Sequence, residues 1–246
     1  MRVIILAAGQ GTRLKPLTDD RPKCMVKLNN KPLIEYQLDL FKKYGIEDIN
    51  VISGYLGGLI NYKGIRKFFN PSFDKTNMVY TLFTASHLFD GKEDILISYG
   101  DIVFNERVYE EIQNSTDEIN VVIDKNWKEY WSARMENPLS DAETLKINNE
   151  GKIYEIGKKT NSFNDIQGQY IGLIKIRKDV VKSFLSFYSS LDRALLYDGK
   201  DFNNMYMTSF LQMIADIKYD LTPVYINNGW IEIDEPSDLD YSSFLK

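Results

Sequence analysis

The sequence has a single cysteine, Cys24, and a single histidine, His87, among its 246 residues. One thiol cannot close an internal disulfide, and one thiol with one imidazole cannot make a four-ligand zinc site. Catalysis by a serine or cysteine beside an imidazole would have to rest on His87, which falls at the end of a predicted helix and reads as a surface or capping group. Cys24 follows Lys23 directly, yet reads as a structural thiol rather than a nucleophile. No apolar run approaches the ~20 residues that span a bilayer, and the stretch between Arg2 and Gln10 is too short for a secretory signal. The expectation is a cytoplasmic protein with no membrane partner. Positive charge is not in excess either: 30 Lys and Arg against 35 Asp and Glu leave a net charge of −5. That offers no basic face to nucleic acid, while a locally positive pocket remains compatible with it.

What is present is ordinary globular usage, 43% hydrophobic and 26% charged, in a chain long enough to bury one large core. There is no internal repeat, low-complexity tract or linker, so a single domain over residues 1–246 is expected. Strand and helix signals alternate in the first half. An apolar strand at residues 3–6 is followed by a helix that begins near Pro32, carries Leu33, Tyr36, Leu40 and Phe41 on one face, and ends at Gly45. A strand at 49–52, a helix at 77–88 and a strand at 95–97 come next. Residues 126–176 show short apolar stretches without a long helical stripe and read as antiparallel excursions beside the main sheet, carrying an acceptor pocket over its open edge. Helices near 179–187 and 204–217, strands near 222–226 and 230–233, and a short helix from Pro236 complete the pattern. The fold class expected is α/β: a Rossmann-like mixed, mainly parallel sheet flanked by helices, with ligands at the carboxyl ends of the strands.

The most informative segment is Leu6, Ala7, Ala8, Gly9, Gln10, Gly11, Thr12 and Arg13, directly after the first strand. A strand that ends in a glycine-rich turn presents bare backbone N–H groups to a phosphate, and Arg13 and Lys23 add positive charge to the concavity. Two commoner phosphate loops are excluded by spacing. The Walker A motif needs four residues between its glycines, then Lys and Ser or Thr. The dinucleotide fingerprint needs a small residue where this chain has Leu14.

The full string, continued by Pro22 and Lys23 and by Lys31, Pro32, Leu33 and Ile34, resembles the signature of the nucleotidyltransferases that activate phosphorylated small molecules. The resemblance is strong over residues 2–60, moderate at 77–101 and 230–241, and faint between. It implies the nucleotide-diphospho-sugar transferase fold and transfer of a nucleotidyl group with release of pyrophosphate. Such chemistry needs charge neutralisation and in-line positioning more than a general base, because the acceptor phosphate is already nucleophilic. The resemblance further implies that Asp101, after the third strand, and Asp234, near the C-terminus, hold Mg²⁺ between them. It assigns Lys23 to the α-phosphate and acceptor, and Arg13 to the leaving pyrophosphate. Each aspartate read alone is equally a turn cap. Gly54 and Gly100, which follow the next two strands, are expected beside the nucleotide.

The stretch from Asn77 to Leu82 resembles the cytidylyltransferase branch acting on phosphocholine and 2-aminoethylphosphonate. Asn77, with the backbone of the Leu6–Ala8 turn, is the candidate reader of cytosine. For the acceptor, Trp127, Tyr130, Trp131 and Trp230 with Glu232 suit a cationic amine, or at least two of these aromatics simply pack. The segment from Trp131 to Leu145 departs from the phosphocholine enzymes and resembles the phosphoglutamine branch of capsular phosphoramidate assembly, in which Arg134 would pair with an amino-acid carboxylate; an arginine here equally suits phosphate or solvent. Lys158 is a further candidate for the acceptor phosphate. The expected partners are therefore CTP and a small phosphorylated acceptor, L-glutamine phosphate first, then phosphocholine or 2-aminoethylphosphonate, and the chain is compatible with a homo-oligomer. A sugar-1-phosphate nucleotidyltransferase and a non-catalytic nucleotide sensor are the alternative readings.

Overall fold

The computed structural model describes residues 1–217 and 220–246. Strand β1 (Arg2–Ala7) is buried throughout. Its side chains alternate between two cores, Val3 and Ile5 facing one and Ile4 and Leu6 the other, as a strand covered on both faces requires. After the glycine loop a tiny hairpin, β2 (Lys27–Leu28) and β3 (Lys31–Pro32), leads into helix α1 (Leu33–Lys43), which Gly45 ends at φ 70°. The chain then forms β4 (Ile49–Ser53), β5 (Ile65–Phe69) and helix α2 (Met78–Phe83). Next come β6 (Ile95–Tyr99), the short β7 (Ile102–Phe104), helix α3 (Glu106–Asn114) and β8 (Ile119–Asp124).

Residues 126–176 correct the sequence expectation in two ways. They begin with a helix, α4 (Trp127–Arg134), which precedes a hairpin of β9 (Glu143–Ile147) and β10 (Ile153–Lys159). They end with β11 (Gln169–Ile176), which lies inside the main sheet, between β8 and β6 and antiparallel to both. Helix α5 (Val181–Ser190), a two-residue-strand hairpin of β12 (Leu196–Tyr197) and β13 (Lys200–Asp201), and helix α6 (Met207–Asp216) follow. Strand β14 (Leu221–Ile226) completes the main sheet, and β15 (Trp230–Glu232) precedes a 3-10 stretch from Pro236 to Leu245.

Among the described residues the main sheet has the order β14-β8-β11-β6-β1-β4-β5, with β11 its antiparallel member. The helix expected over 77–88 stops at Phe83. The Thr84 hydroxyl donates to the Thr81 carbonyl at 2.7 Å, competing for a backbone acceptor, and a single 3-10 turn at Ser86–Leu88 replaces the last turn. Strand β15 belongs to a separate two-stranded ladder. It pairs antiparallel with β7, outside the main sheet, with Glu232 opposite Ile102.

Candidate active site

The carboxyl ends of β1, β4 and β6 lie side by side, and β4 and β6 each run into a turn against β1 that only a small residue permits. Gly54 packs so closely that a Cβ there would stand 2.6 Å from the Ala8 carbonyl oxygen. At Gly100, whose N–H donates to the Leu6 carbonyl at 2.9 Å, a Cβ would stand 2.8 Å from that same oxygen. The glycine loop turns through Gly11 at φ 63°. The Thr18 hydroxyl holds its carbonyl at 2.8 Å, leaving Gly9 and Thr12 exposed and Gln10 half-buried over the cleft mouth.

Three carboxylates meet there. Asp101 follows β6 in a turn bracketed by Gln37 of α1, a buried amide that donates to the carbonyls of Tyr99 at 2.7 Å and Ile102 at 2.8 Å. The β7–β15 ladder then carries Asp234 to Asp101, because the Ile233 N–H donates to the Asp101 carbonyl at 3.1 Å. Asp234 is held from behind by the 3% exposed Asp238, whose carboxylate accepts from the Asp234 and Glu235 N–H groups at 2.7 and 2.8 Å and from Arg134 at 2.9 and 3.1 Å. Glu232 is fixed by Tyr130, whose hydroxyl accepts from its N–H at 3.0 Å and donates to its carbonyl at 3.1 Å.

One ammonium stands between these acids. Lys23 pairs with Asp101 at 2.6 Å and also with Asp234, and Arg13, exposed in the loop, reaches Asp234 at 3.0 Å. Burial opposes the Lys23 charge, but Asp101, Asp234 and Glu232 outweigh it and hold the lysine protonated well above its ordinary range. Burial likewise opposes ionisation of Asp234, and Lys23 and Arg13 still keep it below the usual carboxylate value. Glu232 goes the other way: burial, then the charges of Asp234 and Asp101, push it up. Cys24 is buried behind the site with its thiol pushed up to about 12, first by burial and then by Asp101, so it is no nucleophile.

The chemistry of the donor set fits a hard divalent cation. One oxygen from each of Asp101, Glu232 and Asp234 lies within 4.8 Å of the other two. The Asp101 Oδ1 is buried and without a hydrogen-bond partner among the described residues. Beside these acids, a cavity of ≈ 140 Å³ is lined by Leu6, Ala8, Gly9, Asn77, Thr81 and Tyr99, a size that admits a single six-membered ring. Asn77 caps α2 at its rim: its Oδ1 accepts from the Met78 N–H at 2.8 Å and its Nδ2 lies 3.4 Å from the Asn204 carbonyl.

The structure therefore brings Arg13, Lys23, Asp101, Asp234 and Glu232 together, with Gly54, Asn77 and Gly100 around them. The expected acceptor residues fare differently. Trp131 and Trp230 are core residues, packed on Tyr130, with indole N–H groups donating to Asp141 at 3.0 Å and Asp124 at 2.9 Å, and present no aromatic face to a ligand. Arg134 is also interior, its side chain 3% exposed, paired with Asp238 and 3.8 Å from Glu232, so it supports the acid cluster instead of reaching for an acceptor carboxylate. Lys158 points outward on β10 and pairs with Glu155 at 3.3 Å. His87 is exposed and stacks edge-on to Phe68, away from the acids. Gln37 and Asp238, which orient Asp101 and Asp234, carry no motif signal in the sequence, and Tyr130, expected among the acceptor aromatics, is buried and instead orients Glu232.

Residues 3–151 match the model of the MobA-like NTP transferase domain. The chain belongs to this family and is a nucleotidyltransferase. It is 46% identical over 249 aligned residues, 98% of each chain, to the CTP:phosphoglutamine cytidylyltransferase of Campylobacter jejuni. It is 44% identical to the choline-phosphate cytidylyltransferase of Streptococcus pneumoniae over 103 residues, 40% of this chain and 42% of that protein. A solved structure of the CTP:phosphocholine cytidylyltransferase of Streptococcus pneumoniae superposes with a TM-score of 0.74 at 23% identity, covering 100% of this chain and 99% of that one, which establishes the shared fold. Among the described residues no helix is long and apolar enough to cross a membrane.

Proposed function

We propose that the protein transfers the cytidylyl group of CTP to L-glutamine phosphate. An acceptor phosphate oxygen attacks the α-phosphorus, the bond from that phosphorus to the oxygen bridging to the β-phosphate breaks, and pyrophosphate leaves, giving CDP-L-glutamine. The observation that carries the reaction type is the convergence of Lys23, Asp101, Glu232 and Asp234 beside a ring-sized cavity at the strand ends. The choice of acceptor follows the Campylobacter relative, aligned over nearly the whole chain. Burial of Trp131 and Trp230 removes two aromatic faces that a trimethylammonium group would need, which weighs against phosphocholine.

In this reading the backbone N–H groups of residues 9–12 cradle the phosphates, and Arg13 takes the charge of the departing pyrophosphate. Lys23, held protonated, neutralises the α-phosphate and the incoming acceptor phosphate, two anions that would otherwise repel each other. Asp101 and Asp234, with Glu232 beside them, would hold Mg²⁺, which when bound stabilises charge on the phosphate oxygens. Gln37, Asp238 and Tyr130 keep the carboxylates aimed. Asn77 offers an amide donor and acceptor to the base.

The test is pyrophosphate release from CTP, UTP, GTP, dTTP and ATP against L-glutamine phosphate, phosphocholine, 2-aminoethylphosphonate and glucose-1-phosphate, with and without Mg²⁺. Turnover confined to CTP, L-glutamine phosphate and Mg²⁺ is expected. Turnover with glucose-1-phosphate would overturn the reading of the acceptor pocket, and turnover without a divalent cation would overturn the role of the carboxylates.

A further inference from the structure

A second, smaller crevice lies on the same end of the sheet. Because β11 runs antiparallel, its first residues, Gln169 and Tyr170, stand at the end where β1 and β6 finish. Tyr170 meets Tyr99, a wall of the ring-sized cavity, edge-on with ring centroids 5.8 Å apart. Tyr170 also lines the crevice, together with Glu143, Leu145, Gly157 and Gln169, and its volume is ≈ 30 Å³. A water needs ~10–15 Å³ on this measure, so the space takes an ammonium-sized group and is too small for a trimethylammonium head or a sugar ring.

Glu143 is the charged group in this crevice, and its direction is set by its neighbours. The buried Gln169 amide grips its backbone from both sides: the Glu143 N–H donates to Oε1 at 3.1 Å and Nε2 donates to the Glu143 carbonyl at 2.6 Å. Opposite, Gly157 sits at φ 85°, and a side chain there would collide with Thr208 of α6. The groups facing the carboxyl are Lys159, Asp141, the Thr208 hydroxyl and Asp198 from the turn of the β12–β13 hairpin. Lys159 feels the carboxylate at a distance but makes no ion pair with it among the described residues; its ammonium lies 3.4 Å from the Asp141 carbonyl. Burial, aided by Asp141, therefore pushes the Glu143 acid up to about 7. A largely enclosed carboxyl whose facing ammonium is turned to a neighbouring carbonyl is poor structural glue. The Tyr170 hydroxyl, on the wall shared with the active site, is buried and makes no hydrogen bond of good geometry among the described residues.

We propose that Glu143 is a specificity residue that receives the primary ammonium of the acceptor, its crevice excluding a trimethylated nitrogen. The proposal rests on the cytidylyl-transfer reading for the location of the acceptor, and names the end of it that the phosphate chemistry leaves open. It assigns to Glu143 the selection that the sequence placed on the lid tryptophans.

The test measures kcat and KM by pyrophosphate release with CTP for the wild-type protein, Glu143→Gln and Glu143→Asp. The acceptor pairs are L-glutamine phosphate with its deamino analogue, and 2-aminoethylphosphonate with ethylphosphonate and with the N-trimethyl derivative. Loss of one charge-assisted hydrogen bond predicts that Glu143→Gln lowers the ratio of kcat/KM for amine-bearing over amine-free acceptor about 10- to 100-fold, through KM, with Glu143→Asp intermediate. An unchanged ratio, including one in which both members of a pair fall together, would overturn the proposal, since that is what a merely structural glutamate would give. A wild-type preference for the trimethylated nitrogen would overturn it as well. If the wild-type protein ignores L-glutamine phosphate but uses 2-aminoethylphosphonate, the acceptor assignment falls while the same ratio still judges Glu143. Use of amine-free acceptors alone would sink both.

Discussion

Replacing Asp238 by alanine should damage stability and catalysis together, because this carboxylate has two tasks. It neutralises Arg134, whose side chain is 3% exposed and whose next acid, Glu232, is 3.8 Å away. It also accepts the N–H groups of Asp234 and Glu235 at 2.7 and 2.8 Å, which sets the turn that aims Asp234 at Lys23. Stranding one partner of a buried ion pair costs about 3–5 kcal/mol, with the two orphaned N–H groups contributing within that range, since losses in one network do not add. For a chain of this size each kcal/mol shifts Tm by about 2–4 °C, so a fall of roughly 6–20 °C is expected. With Asp234 no longer held, kcat should drop about 10- to 100-fold, while KM for CTP moves less. Thermal unfolding and steady-state pyrophosphate release measure both effects. Adding Arg134→Met to Asp238→Ala should recover part of the stability, because the stranded charge is gone, yet leave kcat low, because the turn is still unsupported. If Asp238→Ala melts within about 2 °C of the wild-type protein and keeps its kcat, the account of this pair is wrong.

Lys23→Met should lower kcat about 10²- to 10³-fold, and it removes the ammonium that Asp101 and Asp234 share, so added Mg²⁺ should raise its Tm more than that of the wild-type protein; equal shifts would separate the lysine from the acid cluster. Gln37→Leu removes the brackets on the Asp101 turn, and the mutant should lose about 10- to 100-fold in kcat and about 1–3 kcal/mol in denaturant-derived stability; normal turnover would show that Asp101 aims itself. Asp48 supplies a pH signature. Burial opposes its charge, but bonds from Arg2, Asn50 and Arg66 hold its carboxyl below the ordinary value. Its contribution is complete above about pH 4 and is lost as pH falls through the lower folded-state value. Tm should therefore fall more steeply below about pH 4 in the wild-type protein than in Asp48→Asn, and parallel curves would remove the linkage.

Much of the fold follows from local pattern. Val3 to Leu6 is apolar at every position and becomes a strand buried on both faces, and Gly45 ends α1 as its place after the apolar stripe suggests. Helix α4 has no recognisable local pattern, for a physical reason. Its inward positions are Trp127, Tyr130, Trp131 and Arg134, at helical spacing, but three are aromatics with polar edges and the fourth is a charge, neutralised by Asp238 from more than 100 residues away. No local rule expects an arginine on a core face. The site divides in the same way. Lys23 and the glycine loop are legible because their chemistry lies within one short segment. Gln37, Tyr130 and Asp238 act through contacts made by the fold, and the burial of Trp131 and Trp230 is not legible in the sequence because aromatic composition does not say which way a ring points.

The ladder between β7 and β15 has a consequence for how the protein is made. Asp101 is synthesised well before its partners in the acid cluster, Glu232 and Asp234, which lie on and just after a three-residue strand pinned by the Ile233 amide. A nascent chain can complete the glycine loop and the strands flanking it while the catalytic centre still lacks two of its three carboxylates. Competence thus depends on β15 docking on β7, so damage to residues 230–238 should silence the enzyme while leaving much of the sheet able to form.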